Sequence, residues 1–414
     1  MIVLSGGDVV LPDRIQKGGS VILSDGKIAA IEAGPVEPAG ATIIDASDSL
    51  IVPGFIDVHV HGMDGHDTLD GGNVVAHIAR ALPRFGVTAF CPTTVACGPD
   101  ALQEFLDEVG RCKGAKGAKG ANGANGAKGA LGAAGAAGAA RVLPAHLESN
   151  FINPEYRGAQ PIKCLRVPDE HRGAVAWPFT GSQILEIIEN SRSSIGIVTL
   201  APELPGCIDL TRALVAAGHV VSLGHSGANF ETAIEAIEAG ATHATHLFNR
   251  MTPIAHRAPG LVGAVLARHE VSAELICDGY HVHPAMCGVA IAAKGPSRIM
   301  AISDGTSGSG LPVGSISRLG GQSIHVREMA AFLDDGTLAG STLTMDRGFR
   351  NLVTTMRQSI VDAVLMCSTT PANQLGLAEL GRISEGAQAD ITVLARDFQV
   401  VRTFVAGQQV WPIS

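Results

Sequence analysis

The chain lacks a basic excess: 30 Lys and Arg stand against 39 Asp and Glu, a net charge of −9 over 414 residues. A broad electrostatic footprint for nucleic acid is therefore not expected, and an anionic ligand has to be met by a few local cations. No apolar run approaches the ~18–20 residues of a membrane span. The opening MIVLSGGDVVLPD has neither the basic nor the apolar region of a signal peptide. None of the eight cysteines forms a Cys-x-x-Cys pair, so they read as reduced, mostly buried thiols of a cytoplasmic protein. No Gly-x-x-x-x-Gly-Lys-Ser/Thr loop is present, which argues against nucleotide hydrolysis. No Gly-x-Ser-x-Gly elbow is present either, since GTSGSG at 305–310 has the wrong spacing. Aromatic residues are scarce at 4%, and that scarcity excludes nothing by itself.

What the chain does have is apolar material, 46% hydrophobic against 17% charged residues, enough for a large α/β core. Strand-like runs fall at 51–58, 87–91, 142–147, 195–200, 219–224, 241–246, 273–277 and 298–303, with helical segments such as NVVAHIARALPRF and NFETAIEAIEAG between them. Eight strands alternating with helices predict a (β/α)8 barrel of the TIM type. An open doubly wound sheet is the alternative, but no glycine fingerprint follows the first strand. Residues 1–53 and 377–414 are rich in β-branched residues and turn signals, and predict short antiparallel strands that form one small β-sandwich domain from both termini. The barrel is then expected over 54–376. Within it, residues 113–140 repeat a Gly-Ala-x triplet without proline, which reads as a flexible insertion rather than collagen.

The polar residues fall at the ends of these runs. LIVPGFIDVHVHG closes the first with His59 and His61, which a strand's alternation places on one face. The third ends in Glu148, the fifth in His225, the sixth in His246, the seventh in Asp278 and the eighth in Asp304. In a barrel these ends share the rim where active sites are built. Four histidines and a carboxylate on one rim point to a metal site, and imidazole with carboxylate suits zinc first and iron second. His146, His243 and His283 lie close enough in sequence to be confused with ligands, and Asp278 has a plain alternative as a turn cap before Gly279.

The strings PGFIDVHVHG, AHLESNFINP, LGHSGA, THLFNRM, HRAPGLVGAVL, CDGYHVHP, AISDGT and LAGSTLTMDRGFRNLV resemble, in order, the N-acetylglucosamine-6-phosphate deacetylases of the amidohydrolase superfamily. The closing TPANQLGL and GRISEGAQADITVL are similar too, so the resemblance spans all but the Gly-Ala run. It implies the amidohydrolase barrel with its terminal β-sandwich. It implies a principal metal on Glu148, His225 and His246, and a second on His59 and His61 bridged by Glu148, one or two ions per subunit. Asp304 matches the catalytic carboxylate. Asn249, the backbone at Arg250, Arg257 and His281 match sugar-phosphate contacts, with Arg257 serving the neighbouring site of a homodimer. The implied reaction is deacetylation of N-acetylglucosamine 6-phosphate.

Two departures stand out. The family's HLEGPF reads HLESNF here, and Gln160 in RGAQ stands where a substrate-contacting histidine is expected. Glutamine donates a hydrogen bond but carries no proton at neutral pH. The family's YNAM reads FNRM, which puts the Arg250 guanidinium either beside the phosphate, whose oxygens its fork matches, or in a surface ion pair. Rival readings are a deacetylase of N-acetylgalactosamine 6-phosphate, a cyclic amidase, which Glu148 in place of a bridging lysine argues against, and a non-catalytic sugar-phosphate-binding protein.

Overall fold

The computed structural model describes residues 1–114, 138–168 and 178–413. Most of the Gly-Ala run, residues 115–137, lies outside that set.

Eight buried parallel strands form the centre: Phe55–Val60, Val87–Thr94, Ala145–Glu148, Ile195–Leu200, Val220–Leu223, His243–Ala244, Ser272–Ile276 and Ile299–Ile302. Each pairs in parallel with the next. A parallel bridge from Val60 to Gly305, just past the eighth strand, brings the two ends of the series together. Helices such as Cys207–Ala216, Phe230–Glu238 and Gly260–Ala267 alternate with the strands. Phe230–Glu238 shows why they form. Asn229 caps the first turn by accepting from the Thr232 N–H, while Ala233, Ala236 and Ile237 make the buried stripe.

Side chains inside the barrel include Ile56, Val58, Ile197, Val220, Ile276 and Ile302, which share one apolar cluster. The first strand departs from strict alternation. Its pairing with Val87–Thr94 slips between Asp57 and Val60, a bulge that re-aims the residues after it. Val60 then packs with the outer cluster, while His59 meets Glu274 of the seventh strand.

The predicted strand at 51–58 is two strands. Leu50–Pro53 belongs to the terminal sheet and Phe55–Val60 to the barrel. The chain crosses between them at Gly54, where any Cβ would stand 2.1 Å from Thr88 Oγ1. Strands from both termini make one eight-stranded sheet. It is mixed rather than purely antiparallel: Ile2–Val10 runs antiparallel to Ile15–Ser24 but parallel to Thr42–Asp45 and Leu50–Pro53. Leu50–Pro53 in turn pairs antiparallel with Ile391–Leu394, so the C-terminal chain closes against the N-terminal one.

A second sheet was not anticipated. Ile316–Leu319, Gln322–Val326, Ala330–Leu333 and Leu338–Ser341 form four antiparallel strands after the eighth barrel strand. They bind the barrel loops through Gln322 Nε2 donating to the Ala159 carbonyl (2.7 Å) and the Gly320 N–H donating to Asp67 (2.9 Å).

Candidate active site

The strand ends open into a cavity. It is lined by His61, Glu148, His225, His246 and Asp304 together with Gln160, Asn249, Arg250 and His281. Val95, Leu319 and Leu338 add an apolar margin, the last two from the unanticipated sheet.

Glu148 ends the third strand. Its Oε1 lies 2.7 Å from His225 Nε2 and 2.8 Å from His246 Nε2, and the two nitrogens are 3.1 Å apart. Ligands about 2.0–2.1 Å from a tetrahedral ion stand about 3.3 Å from one another, so this triad is already close to a coordinating arrangement. A second group sits beside it. His59 Nε2 is 3.0 Å from His61 Nε2, and each lies 3.4 Å from Asp304 Oδ1. His61 Nε2 is also 3.4 Å from Glu148 Oε2, which places Glu148 between the two groups.

The donor chemistry fits a cation. His225 is held through Nδ1 by the Tyr156 carbonyl (2.8 Å) and His59 through Nδ1 by Glu274 (2.9 Å). Each ring then commits its Nδ1 proton away from the cavity and turns the Nε2 lone pair toward a carboxylate. Lone pairs and carboxylate oxygens at such distances repel unless protons or a metal ion lie between them. Burial opposes protonation of His61, yet hydrogen bonds to Asp304 and Glu148 outweigh it and raise its pKa to about 10. His59 rises to about 9 in the same way: burial opposes, and Glu274 and Asp304 prevail. For Asp304, burial disfavours the anion, but His59 and His61 hold the carboxyl below its usual range.

Backbone conformation marks the same positions. His225, His246 and Asp304 each sit two residues past a strand end, with φ of 47°, 29° and 49°. L residues rarely adopt this left-handed region, and such outliers gather at functional sites.

The remaining predicted residues divide. Gln160 lines the cavity; its Oε1 accepts from the Ala96 N–H (2.7 Å), which turns its amide nitrogen to donate to Glu148 Oε2. His281 lines it too. Its Nδ1 bonds Asp278 Oδ2 at 2.6 Å, while its buried Nε2 has no hydrogen-bond partner among the described residues. Asp278 also accepts from the Tyr280 and His281 N–H groups, so it both caps the turn and holds His281. Arg250 lies over Gly158, where a Cβ would come within 2.7 Å of Arg250 Nε, and the φ of 58° at Gly158 favours glycine there. Arg257 does not line the cavity but sits on an exposed loop.

His146 and His243 meet other partners beneath the rim, where His146 also clusters with His59 and Glu274 in a third group of potential ligands. His243 Nε2 bonds Glu274 Oε1 at 2.9 Å, and His146 spans the Val58 carbonyl and Thr199 Oγ1. His283 caps the helix Pro284–Lys294. Sequence reasoning missed Glu274 and Asp57, both fully buried. Asp57 accepts from the His59 and Ser303 N–H groups and so joins the first strand to the end of the eighth. A signal existed for Glu274: a lone acid within SAELI, on the face that Ile276 turns into the barrel interior.

Fold and rim together define an amidohydrolase barrel, and the amidohydrolase family profile matches residues 204–410. The chain is 34% identical over 402 residues to N-acetylglucosamine-6-phosphate deacetylase of Bacillus subtilis (strain 168), covering 96% of this chain and 94% of that one. To the human protein of that name it is 33% identical, covering 99% and 94%. Among solved structures, that of Pasteurella multocida superposes with a TM-score of 0.85 at 25% identity, covering 99% of both chains. A mutant of the Mycobacterium smegmatis protein, in complex with N-acetyl-D-glucosamine-6-phosphate, gives 0.84 at 29% identity, again covering 99% of each. The chain belongs to the N-acetylglucosamine-6-phosphate deacetylase family.

Proposed function

We propose that this protein hydrolyses the acetamide of N-acetylglucosamine 6-phosphate, releasing acetate and glucosamine 6-phosphate. The observation that carries the reading is the Glu148–His225–His246 triad, which lines one cavity with Asp304, His281, Asn249 and Arg250. Glu148, His225 and His246 would hold a principal divalent ion, and His59 and His61 a second with Glu148 between them. Imidazole with carboxylate favours zinc, then iron. An ion so held supplies Lewis acidity, lowering the pKa of water to about 7 and polarising a carbonyl.

The chain's own groups supply the rest. Asp304, ionised between His59 and His61, accepts the proton of the attacking water and passes it to the departing amine nitrogen. Gln160, locked by Ala96, gives one amide hydrogen to Glu148 and presents the other to the acetyl oxygen. His281 Nε2, Asn249 and Arg250 take the phosphate, the guanidinium adding a fork that matches its oxygens. Arg257, exposed and away from this cavity, is assigned to the site of a second copy in a homodimer. Eight cysteines with no Cys-x-x-Cys pair among them suit a reducing cytoplasm.

Acetate release from N-acetylglucosamine 6-phosphate, its unphosphorylated form and N-acetylgalactosamine 6-phosphate, with metal analysis of the same sample, tests the reading. A strong preference for the first is expected. Equal rates with and without phosphate would remove His281, Asn249 and Arg250 from their roles, and preference for the galactose epimer would transfer the assignment to that substrate.

A further inference from the structure

The two ligand groups at the rim are joined from beneath by a single side chain. Glu274 lies in the middle of Ser272–Ile276 and is 0% exposed. Its Oε2 accepts from His59 Nδ1 at 2.9 Å and from the backbone N–H of His246 at 3.0 Å. Its Oε1 meets His243 Nε2 at 2.9 Å, with His146 Nδ1 at 3.6 Å. One oxygen therefore grips a member of each group: His59 by its ring and His246 by its main chain.

The two grips differ in kind. Through the ring, Glu274 fixes the tautomer and rotation of His59, so that Nε2 points at His61 and Asp304. A hydrogen-bonded carboxylate also makes the imidazole a better donor to a cation. His225 is held by a neutral carbonyl instead, that of Tyr156, and His246 Nδ1 has no partner among the described residues. Through the main chain, Glu274 only locates the loop that carries His246. The ring contact bears on ligand strength, the main-chain contact on position alone.

We propose that Glu274 is a positioning residue that governs occupancy of the His59–His61 ion site, with little influence on the Glu148–His225–His246 site. The proposal rests on the two-ion reading given above. It acts through His59, whose free nitrogen it aims. The oxygens of Glu274 itself are taken up by His59, His243 and the His246 N–H.

The test is titration of the full chain, stripped by chelation, with Co²⁺, reading stoichiometry, affinity and visible absorption. The wild type is expected to take up two ions. Glu274→Gln keeps the shape and removes the charge, and should weaken the second ion by about 10–100-fold while leaving the first within a few-fold. In a His59→Asn background, the same change should cause no further loss, because its route through the ring is gone. Glu274→Asp, which keeps the charge but withdraws it by one methylene, gives the same reading should the amide variant not fold. One ion in the wild type would overturn the two-ion reading and the proposal together. Two ions in the wild type, with Glu274→Gln unchanged, equally damaging to both sites, or additive with His59→Asn, would overturn the proposal alone.

Discussion

The barrel rim and the terminal sheet use buried charge in opposite ways. At the rim, Glu148, Glu274 and Asp304 lie within a few ångströms of one another's histidines, every one of them under 7% exposed. The terminal sheet has an apolar core, with Leu4, Val21, Leu23, Ile28, Ile391 and Phe404 in one cluster. Its few buried charges act as fasteners. Asp390 takes Arg141 through two hydrogen bonds, at 2.6 and 3.0 Å, and so ties the sheet to the strand beside the barrel wall. Asp8 binds Lys17 and Arg396, joining the two termini. A charge with a dedicated opposite partner serves cohesion. A cluster of like-signed acids sharing several imidazoles serves chemistry, since it is comfortable only around a cation.

That contrast breaks if rim variants chiefly unfold the protein or sheet variants chiefly slow it. The largest effect is expected for Asp304→Asn: turnover should fall by about 10²–10⁴-fold, the range of a general acid–base contribution, with the thermal midpoint not lowered and the ion on Glu148, His225 and His246 retained. Steady-state kinetics with metal analysis checks it, and near-normal turnover would remove Asp304 from the mechanism.

Arg141→Ala should do the reverse. It leaves Asp390 buried without its partner, at a cost of about 3–5 kcal/mol, read as a lower urea midpoint, while KM for the folded fraction stays unchanged. A smaller effect sharpens the picture within the cavity. Arg250→Ala should raise KM for the phosphorylated sugar about tenfold, the worth of one charged hydrogen bond, and leave the unphosphorylated sugar alone. A uniform change in both would make Arg250 a packing residue over Gly158.

The smallest effect concerns Asp8. Burial disfavours its anion, but Lys17 and Arg396 prevail and lower its pKa from 3.8 to about 2. The folded value lies below the unfolded one, so the stabilisation is present above about pH 4 and lost as pH falls through about 2. With Lys17 and Arg396 74% and 51% exposed, screening limits it to about 1 kcal/mol. Asp8→Asn should lose that amount at pH 7 and only a small part of it at pH 2, by chemical denaturation at both.

The rim was legible because apolar strands ended abruptly in His59, His61, Glu148, His225, His246 and Asp304, and ends of parallel strands share one face. The strands themselves were legible from length and spacing, apart from 51–58, where Gly54 hides a change of sheet inside one apolar run, and 142–147, which is two strands, Arg141–Val142 and Ala145–Glu148. The four-stranded sheet over 316–341 was not legible. Its strands are short, and Ile316–Leu319 is largely exposed, so no clean alternation reaches the sequence. Glu274 was missed for a different reason. An acid in mid-strand reads as a solvent-facing residue until the barrel closes around it and three histidines from other strands arrive.

The left-handed conformations of His225, His246 and Asp304 carry a consequence for how this chain tolerates change. Glycine would relax the backbone at each of the three and abolish what the residue does there, so fold and reaction pull on these positions in opposite directions. Relief of the backbone is bounded all the same, because glycine at 225 or 246 would also empty a buried position and leave the Glu148 carboxylate short of an imidazole.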